Sequence, residues 1–369
     1  MATLADAYQL QDQGRLEECE SVCHELLRQS DDPQILLLLG DLCRGAGRPE
    51  EAAGWYKKAA IRLPRCAEPL YGLALLHLSG PHIDVAAALD AVDSVIEMRP
   101  NHGNAHAILS RLLKMRGQAS DRYPVSVVTP TVGTDYVARA IASVQAQTYG
   151  KVEHLIFVDG PAGLDKVSAL VPSAPRHPIH VFPLPYNTGK GGFNGHLIYA
   201  ASAFLARGRY ISFLDEDNWF LENHLKSLMD LIESRGLDWS YSLRNIHETD
   251  GSFVCRDDCE SLGQWDAWEG GRVIDQNCFC LRRDIAVQLS WIYNRRYLDS
   301  DSPDILLCKE LLSRFPNFET TGDYTSNYTV SRSPHSLNAD YFKIGNAKQV
   351  ALHPDGLPWR KPAPGAQAP

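Results

Sequence analysis

Two carboxylates separated by one residue, Asp215 and Asp217, close an apolar run that reads Tyr210-Ile-Ser-Phe-Leu-Asp-Glu-Asp-Asn218. A run of strand formers ending in Asp-x-Asp places acids at the C-terminal end of a strand, where an open α/β sheet binds its ligand. In extended chain, residues two apart point to the same side, so both carboxylates face one way. Such oxygens hold a hard divalent cation, and the cation holds a diphosphate. The pattern points to an enzyme that uses a nucleoside diphosphate together with a divalent cation. An acidic strand-to-loop turn without a ligand is the plain alternative, and the tripeptide alone does not choose between them.

The elements needed to position these acids are legible upstream. After Tyr123 the chain reads Pro-Val-Ser-Val-Val-Thr-Pro-Thr, and Val125, Val127 and Val128 predict a short buried strand stopped by Pro130. Val137, Ile141 and Val144 share one face of a helix expected from about Asp135 to Gln147. A second strand, Val152 to Val158, ends in Asp159-Gly160. A third, Ile179 to Phe182, leads to Asn187-Thr-Gly-Lys-Gly-Gly192. A helix from about Asn194 to Ala206, stopped by Gly208, precedes the strand that carries Asp215. Strands alternating with helices predict parallel pairing in a Rossmann-like sheet.

This series resembles glycosyltransferase family 2, whose members have the GT-A fold. The resemblance is carried in order by Thr129-Pro130-Thr131, Ser143-Val-Gln-Ala-Gln-Thr-Tyr149, Val158-Asp159-Gly160, Asn187-Thr188-Gly189-Lys190 and Leu214-Asp215-Glu216-Asp217. It covers about residues 122 to 345 and weakens after about 220. Val132-Gly133 stands where the family often has an aromatic-Asn pair.

The resemblance implies an α/β GT-A domain, mostly parallel, that moves a sugar from a nucleoside diphosphate to an acceptor hydroxyl with inversion at the anomeric carbon. Asp159 is similar to the family residue that hydrogen-bonds the base, and a carboxylate suits the imide N–H of uracil, so a UDP-sugar is the favoured donor. Thr131 and Lys190 join the donor site, Lys190 as a point charge for phosphate. Asp217, with Asp215 second, is expected to hold Mn2+ or Mg2+, and Glu216 to point away. His335, in Ser331-Arg-Ser-Pro-His335, is a candidate further metal ligand. The base is expected at Asp304, where Pro303-Asp304 precedes a helix reading Ile-Leu-Leu-Cys-Lys-Glu-Leu-Leu312 and Pro303 replaces the family's Glu. Asp301 and Asp299 are alternatives, and an ordinary N-cap is the plain reading of Asp304. Trp265 and Trp268, in Gln264-Trp-Asp-Ala-Trp-Glu-Gly-Gly271, are either stacking residues for a sugar or peptide acceptor or anchors of a loop.

The first third is a different object. Residues 34 to 64 resemble a tetratricopeptide repeat, with Leu39-Gly40, Ala52, Tyr56, Ala59 and Pro64 on the repeat's small, aromatic and proline positions. A second unit runs from about Ala67 to Pro100, a weaker one precedes with Gly14, Cys19 and Cys23, and Asn104 to Met115 reads as a capping helix. Small residues let paired helices approach closely, and each pair buries its face only against the next. Such stacks serve a protein or peptide client or self-association. The expected domains are a helical repeat domain over 1–117, a linker over 118–122, the GT-A domain over 123–350 and a disordered Pro/Ala-rich tail over 351–369.

Composition sets outer bounds. A chain of 369 residues accommodates two domains. The net charge of −9 lacks a basic tail or stripe, which argues against nucleic acid as the main partner. No apolar run reaches membrane-spanning length, and the N-terminus lacks the charged start and apolar core of a signal peptide. The nine cysteines are irregularly spaced. A zinc site from Cys255, Cys259, Cys278 and Cys280 lacks paired Cys-x-x-Cys spacing, and reduced thiols of a cytoplasmic protein are the better reading. Two other functions compete: a nucleotidyltransferase of related fold, which lacks the Gly-rich Arg/Lys signature after the first strand, and a repeat scaffold carrying a decayed transferase.

Overall fold

The computed structural model describes residues 2–79, 83–99, 102–116, 124–295, 302–331 and 336–361. The chain divides into two compact units, residues 1–117 and 118–369.

The first unit is helical. Its helices are α1 (Leu4–Asp12), α2 (Leu16–Gln29), α3 (Pro33–Gly45), α4 (Pro49–Arg62), α5 (Glu68–His77), α6 (Val85–Met98) and α7 (Gly103–Arg116). Each packs on the next in chain order. The starts are chemically marked: a capping box joins Thr3 and Asp6, Asp32 and Asp84 cap α3 and α6, and Pro33 and Pro49 occupy first-turn positions whose N–H would have no partner. Tyr56 is the pivot of the packing. Its ring, 1% exposed, lies so close to Gly40 and Gly72 that a Cβ on either would come within 2.6 Å of it. Its hydroxyl donates to Asp41 at 2.7 Å and accepts from Arg44 Nε at 3.2 Å.

The described residues of the second unit form a nine-stranded sheet with helices packed on it. The strands are β1 (Val125–Thr131), β2 (Val152–Val158), β3 (Ile179–Pro183), β4 (Tyr210–Phe213), β5 (Trp219–Phe220), β6 (Trp239–His247), β7 (Phe253–Arg256), β8 (Phe279–Arg282) and β9 (Phe318–Thr329). The helices are α8 (Val137–Gln145), α9 (Leu164–Leu170), α10 (His196–Leu205), α11 (His224–Arg235), α12 (Arg283–Leu289), α13 (Pro303–Arg314) and α14 (Ala339–Leu352). Strand order is β3-β2-β1-β4-β8-β6-β9-β5, with β7 hydrogen-bonded to β6.

The sheet is mixed rather than mostly parallel. β1 to β4 pair in parallel, as the helical crossovers between them require, and so do β6 and β9. β8 lies antiparallel to β4 and β6, β7 to β6, and β5 to β9. These strands enter after turns and loops, which permit reversal, rather than after a crossover helix.

Pro130 lies inside β1 instead of stopping it. β1 pairs with β2 as far as Thr131 but with β4 only as far as Val128. Past Val128 one side of β1 carries no partner strand, and a residue without an N–H is tolerated there. The chain order turns outward in both directions from β1, so the gap between the ends of β1 and β4 is the switch point at which such sheets bind ligands.

The tail expected from residue 351 also needs correction. α14 continues through Leu352, and Trp359, 1% exposed, donates from its indole N–H to Asp258 at 2.9 Å. Burial of one large aromatic ring holds this end against the sheet despite the neighbouring prolines. Residues 118–122, the expected linker, lie outside the described residues. Among the described residues, no helix is long and apolar enough to cross a membrane.

Candidate functional site

The strand ends deliver the acids to one place. Asp159 follows β2, and Gly160 takes φ +100°, a conformation that glycine adopts without strain. Asp159 Oδ1 accepts the Thr188 N–H at 2.6 Å and its hydroxyl at 2.9 Å, and Oδ2 accepts the Gly189 N–H at 3.0 Å. The carboxylate thereby anchors the loop that carries Lys190, whose side chain is exposed. Gly189 is pressed against that loop's own far end, since a Cβ would stand 2.3 Å from the Asn194 carbonyl oxygen.

Thr131, at the end of β1, donates from its hydroxyl to Glu216 Oε2 at 2.5 Å and accepts the Gly133 N–H at 2.8 Å. The Thr134 N–H also donates to Glu216 Oε2, at 3.3 Å. Glu216 thus points to the β1 loop and ties it to the acidic loop.

Asp215 is held by its neighbours. Asn277 accepts the Asp215 N–H through Oδ1 at 2.6 Å and donates through Nδ2 to Asp215 Oδ2 at 2.9 Å. Tyr199 of α10 donates its phenol to Asp215 Oδ1. Asn277 Nδ2 also donates to Asp275 at 2.7 Å, and Asp275 is ion-paired with Arg244 of β6 at 2.5 Å. Arg244, 3% exposed, further pairs with Asp257 at 2.7 Å and with Glu260, and its guanidinium lies 4.3 Å from the Tyr328 ring centre. The Asp217 carbonyl accepts from Arg139 Nη2 at 3.0 Å and from the Thr329 hydroxyl at 2.6 Å, and Arg139 stacks 3.5 Å over Trp219. These contacts fix the Asp217 backbone.

Asp304 lies in the first turn of α13, and Ser302, two residues earlier, is the cap, accepting the Ile305 N–H at 3.5 Å. The ordinary N-cap reading of Asp304 is therefore corrected: the capping position belongs to Ser302, and Asp304 is available for other work. Burial, then the charges of Asp275, Asp215 and Glu260, push Asp304 up to about 8. Burial, then the charges of Asp217 and Asp275, push Asp215 up to about 7. Asp304 and Asp215 thus lie within reach of each other's field at one end of the sheet. Arg244, the buried counter-charge, is already spent on three other acids.

Trp265 and Trp268 are loop anchors in this structure. Trp265 meets Trp359 edge-on at 6.0 Å, while Trp268 meets Tyr341 at 5.3 Å with Lys348 Nζ over its ring at 4.1 Å. Asp299, Asp301 and His335 lie outside the described residues. Among the described residues, no three His, Cys, Asp or Glu side chains are placed to hold a metal ion together. A cation here would take protein ligands from the Asp215–Asp217 pair and fill its remaining positions from substrate phosphate and water, as Mg2+ does. Burial, with the neighbouring carboxylates second, drives Asp215 and Asp304 upward, and that cluster of acids fits such a cation.

Sequence reasoning missed Asn277, Asp275, Arg244, Tyr199 and Arg139. Asp275-Gln-Asn277 is a polar run just before a strand, a visible signal, but its place beside Asp215 follows only from the antiparallel pairing of β8 with β4.

Residues 126–299 match the model of glycosyl transferase family 2. The Escherichia coli protein UDP-Glc:alpha-D-GlcNAc-diphosphoundecaprenol beta-1,3-glucosyltransferase WfgD is 27% identical over 138 residues, covering 36% of this chain. The chain spans about half, 52%, of that relative's length. Crystal structures of S. aureus TarS 1-349 are similar at 16% identity. The complex with UDP-GlcNAc has a TM-score of 0.42 over 57% of this chain and 60% of that one, and the complex with UDP has 0.43 over 63% and 72%. The segment that matches the family model lies within the α/β unit.

Proposed function

We propose that the α/β unit is a metal-dependent, inverting glycosyltransferase of the GT-A type that moves a sugar from a UDP-sugar to an acceptor hydroxyl. The observation that carries this reading is the gathering of carboxylates beside the switch point of the sheet, where the charges of Asp217 and Asp275 bear on Asp215 and those of Asp275 and Asp215 bear on Asp304. The relative WfgD is named for a UDP-Glc donor, which favours uridine here.

In this reading Asp159 and the β1 loop receive the nucleoside. Mn2+ or Mg2+, when bound, offsets the charge of the leaving diphosphate. Asn277 and Tyr199 fix the Asp215 carboxylate, and Arg139 fixes the backbone of Asp217. Lys190 adds a mobile positive charge for phosphate from the exposed loop. Asp304 takes the proton from the acceptor hydroxyl, which attacks the anomeric carbon from the face opposite the leaving group and inverts it. The raised affinity of Asp304 for a proton suits a base that works near neutral pH.

The helical unit is read as tetratricopeptide-like repeats that recruit the acceptor, a protein or a glycan, or a second copy of the chain. The Tyr56 ring seated on Gly40 and Gly72 supports the close helix approach such repeats need.

The test is calorimetry of UDP binding with Mn2+ present. Asp217→Asn is expected to remain folded and lose UDP binding. Equal affinity in variant and wild type rejects the reading.

A further inference from the structure

A second concavity lies away from the acids. Asn245 of β6 pairs with Arg256 across β7, so the two side chains share one face of the sheet, while Arg244, the next residue in β6, projects to the other face and its buried acids. On the Asn245 side is a cavity of about 460 Å3 lined by Asn223, Asn245, Arg256, Tyr324, Arg360 and Lys361, among others. That volume lies within the range of pockets that take small organic molecules, about 300–1,000 Å3.

Its charge is positive in a chain whose net charge is −9. Arg360 is committed to Asp258, and Lys361 pairs with Asp323 at 3.2 Å. Arg256 is exposed, and among the described residues it has neither an ion pair nor a side-chain hydrogen bond. Its guanidinium is parked 4.8 Å from the Tyr324 ring centre. The exposed Asn223 amide makes no capping bond to α11 and is available to a ligand. Both Asn245 amide hydrogens are taken, by the Tyr324 carbonyl at 3.0 Å and Asn327 at 3.2 Å, so Asn245 presents a fixed carbonyl acceptor.

A guanidinium without a counter-ion among the described residues donates bidentately to an oxyanion, amides satisfy hydroxyls, and the Tyr324 ring, with the Arg256 and Arg360 guanidinia 4.8 and 5.8 Å from its centre, backs the positive charge. We propose that this pocket binds an acidic saccharide, a sugar bearing a carboxylate or phosphate, with Arg256 holding the anion. The site is separate from the donor crevice, and its occupancy is read without reference to transfer activity.

The experiment is titration of the full chain with glucuronic acid, glucose 6-phosphate, glucose and inorganic phosphate, followed by the side-chain NMR signals of Tyr324 and by calorimetry. Both charged sugars are expected to bind and glucose to bind at least about tenfold more weakly. Arg256→Ala is expected to remove this difference and Arg256→Lys to restore part of it, both with unchanged UDP binding in the presence of Mn2+. Equal binding by inorganic phosphate and the charged sugars would overturn the saccharide assignment in favour of a free-ion site. Absence of binding, or binding unchanged in Arg256→Ala, would overturn the site itself.

Discussion

Asn277 grips Asp215 at two points, accepting its backbone N–H at 2.6 Å and donating to its carboxylate at 2.9 Å. One side-chain amide therefore sets both the path of the chain and the orientation of the acid. It also carries the link to Asp275 and so to the buried Arg244. Leaving a buried partner without its hydrogen bond costs about 1–3 kcal/mol. Asn277→Ala is expected to weaken Mn2+-dependent UDP binding by about tenfold or more while the chain stays folded. Calorimetry alongside a thermal melt checks this. Unchanged affinity would show that Asp215 needs no such support.

Asp304→Asn separates chemistry from binding. Loss of a general base typically costs about a hundred- to ten-thousand-fold in rate. The variant is expected to bind UDP as wild type does and to turn over far more slowly, since Ser302 and not Asp304 caps α13. The wild-type product is expected to be inverted at the anomeric carbon, by NMR of the fresh product. A retained product excludes Asp304 as the base of a single displacement.

The same residue predicts an opposite effect on stability. The folded state holds the Asp304 proton up to about pH 8, whereas the unfolded chain releases it near the ordinary value of 3.8. Between those values the folded state binds more protons, so this group's contribution to stability falls as pH rises, and it is fully present only below the unfolded value. Asp304→Asn is expected to flatten the decline and to be more stable than wild type near pH 8, by on the order of 1–2 kcal/mol after solvent screening. Urea titrations at pH 5 and pH 8 read the difference. A variant less stable than wild type at pH 8 contradicts it.

In the helical unit, Gly72→Ala drives a methyl into the Tyr56 ring, where the approach would be 2.5 Å. Overpacking of this kind costs about 1–3 kcal/mol. The melting transition of residues 1–117 is expected to fall by several degrees while UDP binding by the α/β unit is unchanged. Differential scanning calorimetry with UDP present and absent separates the two transitions.

Much of this arrangement is local in origin, and that part was legible. β2 is a run of mostly strand-forming residues bounded by turn residues, and its expected limits, Val152 to Val158, are those of the structure. The acids at the ends of β2 and β4 follow from strand boundaries alone. Other features needed knowledge of which strand lies beside which. Pro130 was read as a stop because the sequence does not show that β4 ends before it. Asn277 reaches Asp215 across 62 residues through antiparallel pairing that no local pattern encodes. Trp359 was lost among prolines and alanines, although one buried ring outweighs that composition.

Glu216, between the two metal-binding candidates, spends its charge on Thr131 and Thr134. In the proposed reading, the chain thereby rivets the segment assigned to the nucleoside to the segment assigned to the diphosphate. The two are set at one spacing, like the jaws of a fixed-gap gauge. On that reading a donor with a longer or shorter phosphate bridge seats one end and misses the other, so the length of the nucleotide is measured by a residue that need not touch it.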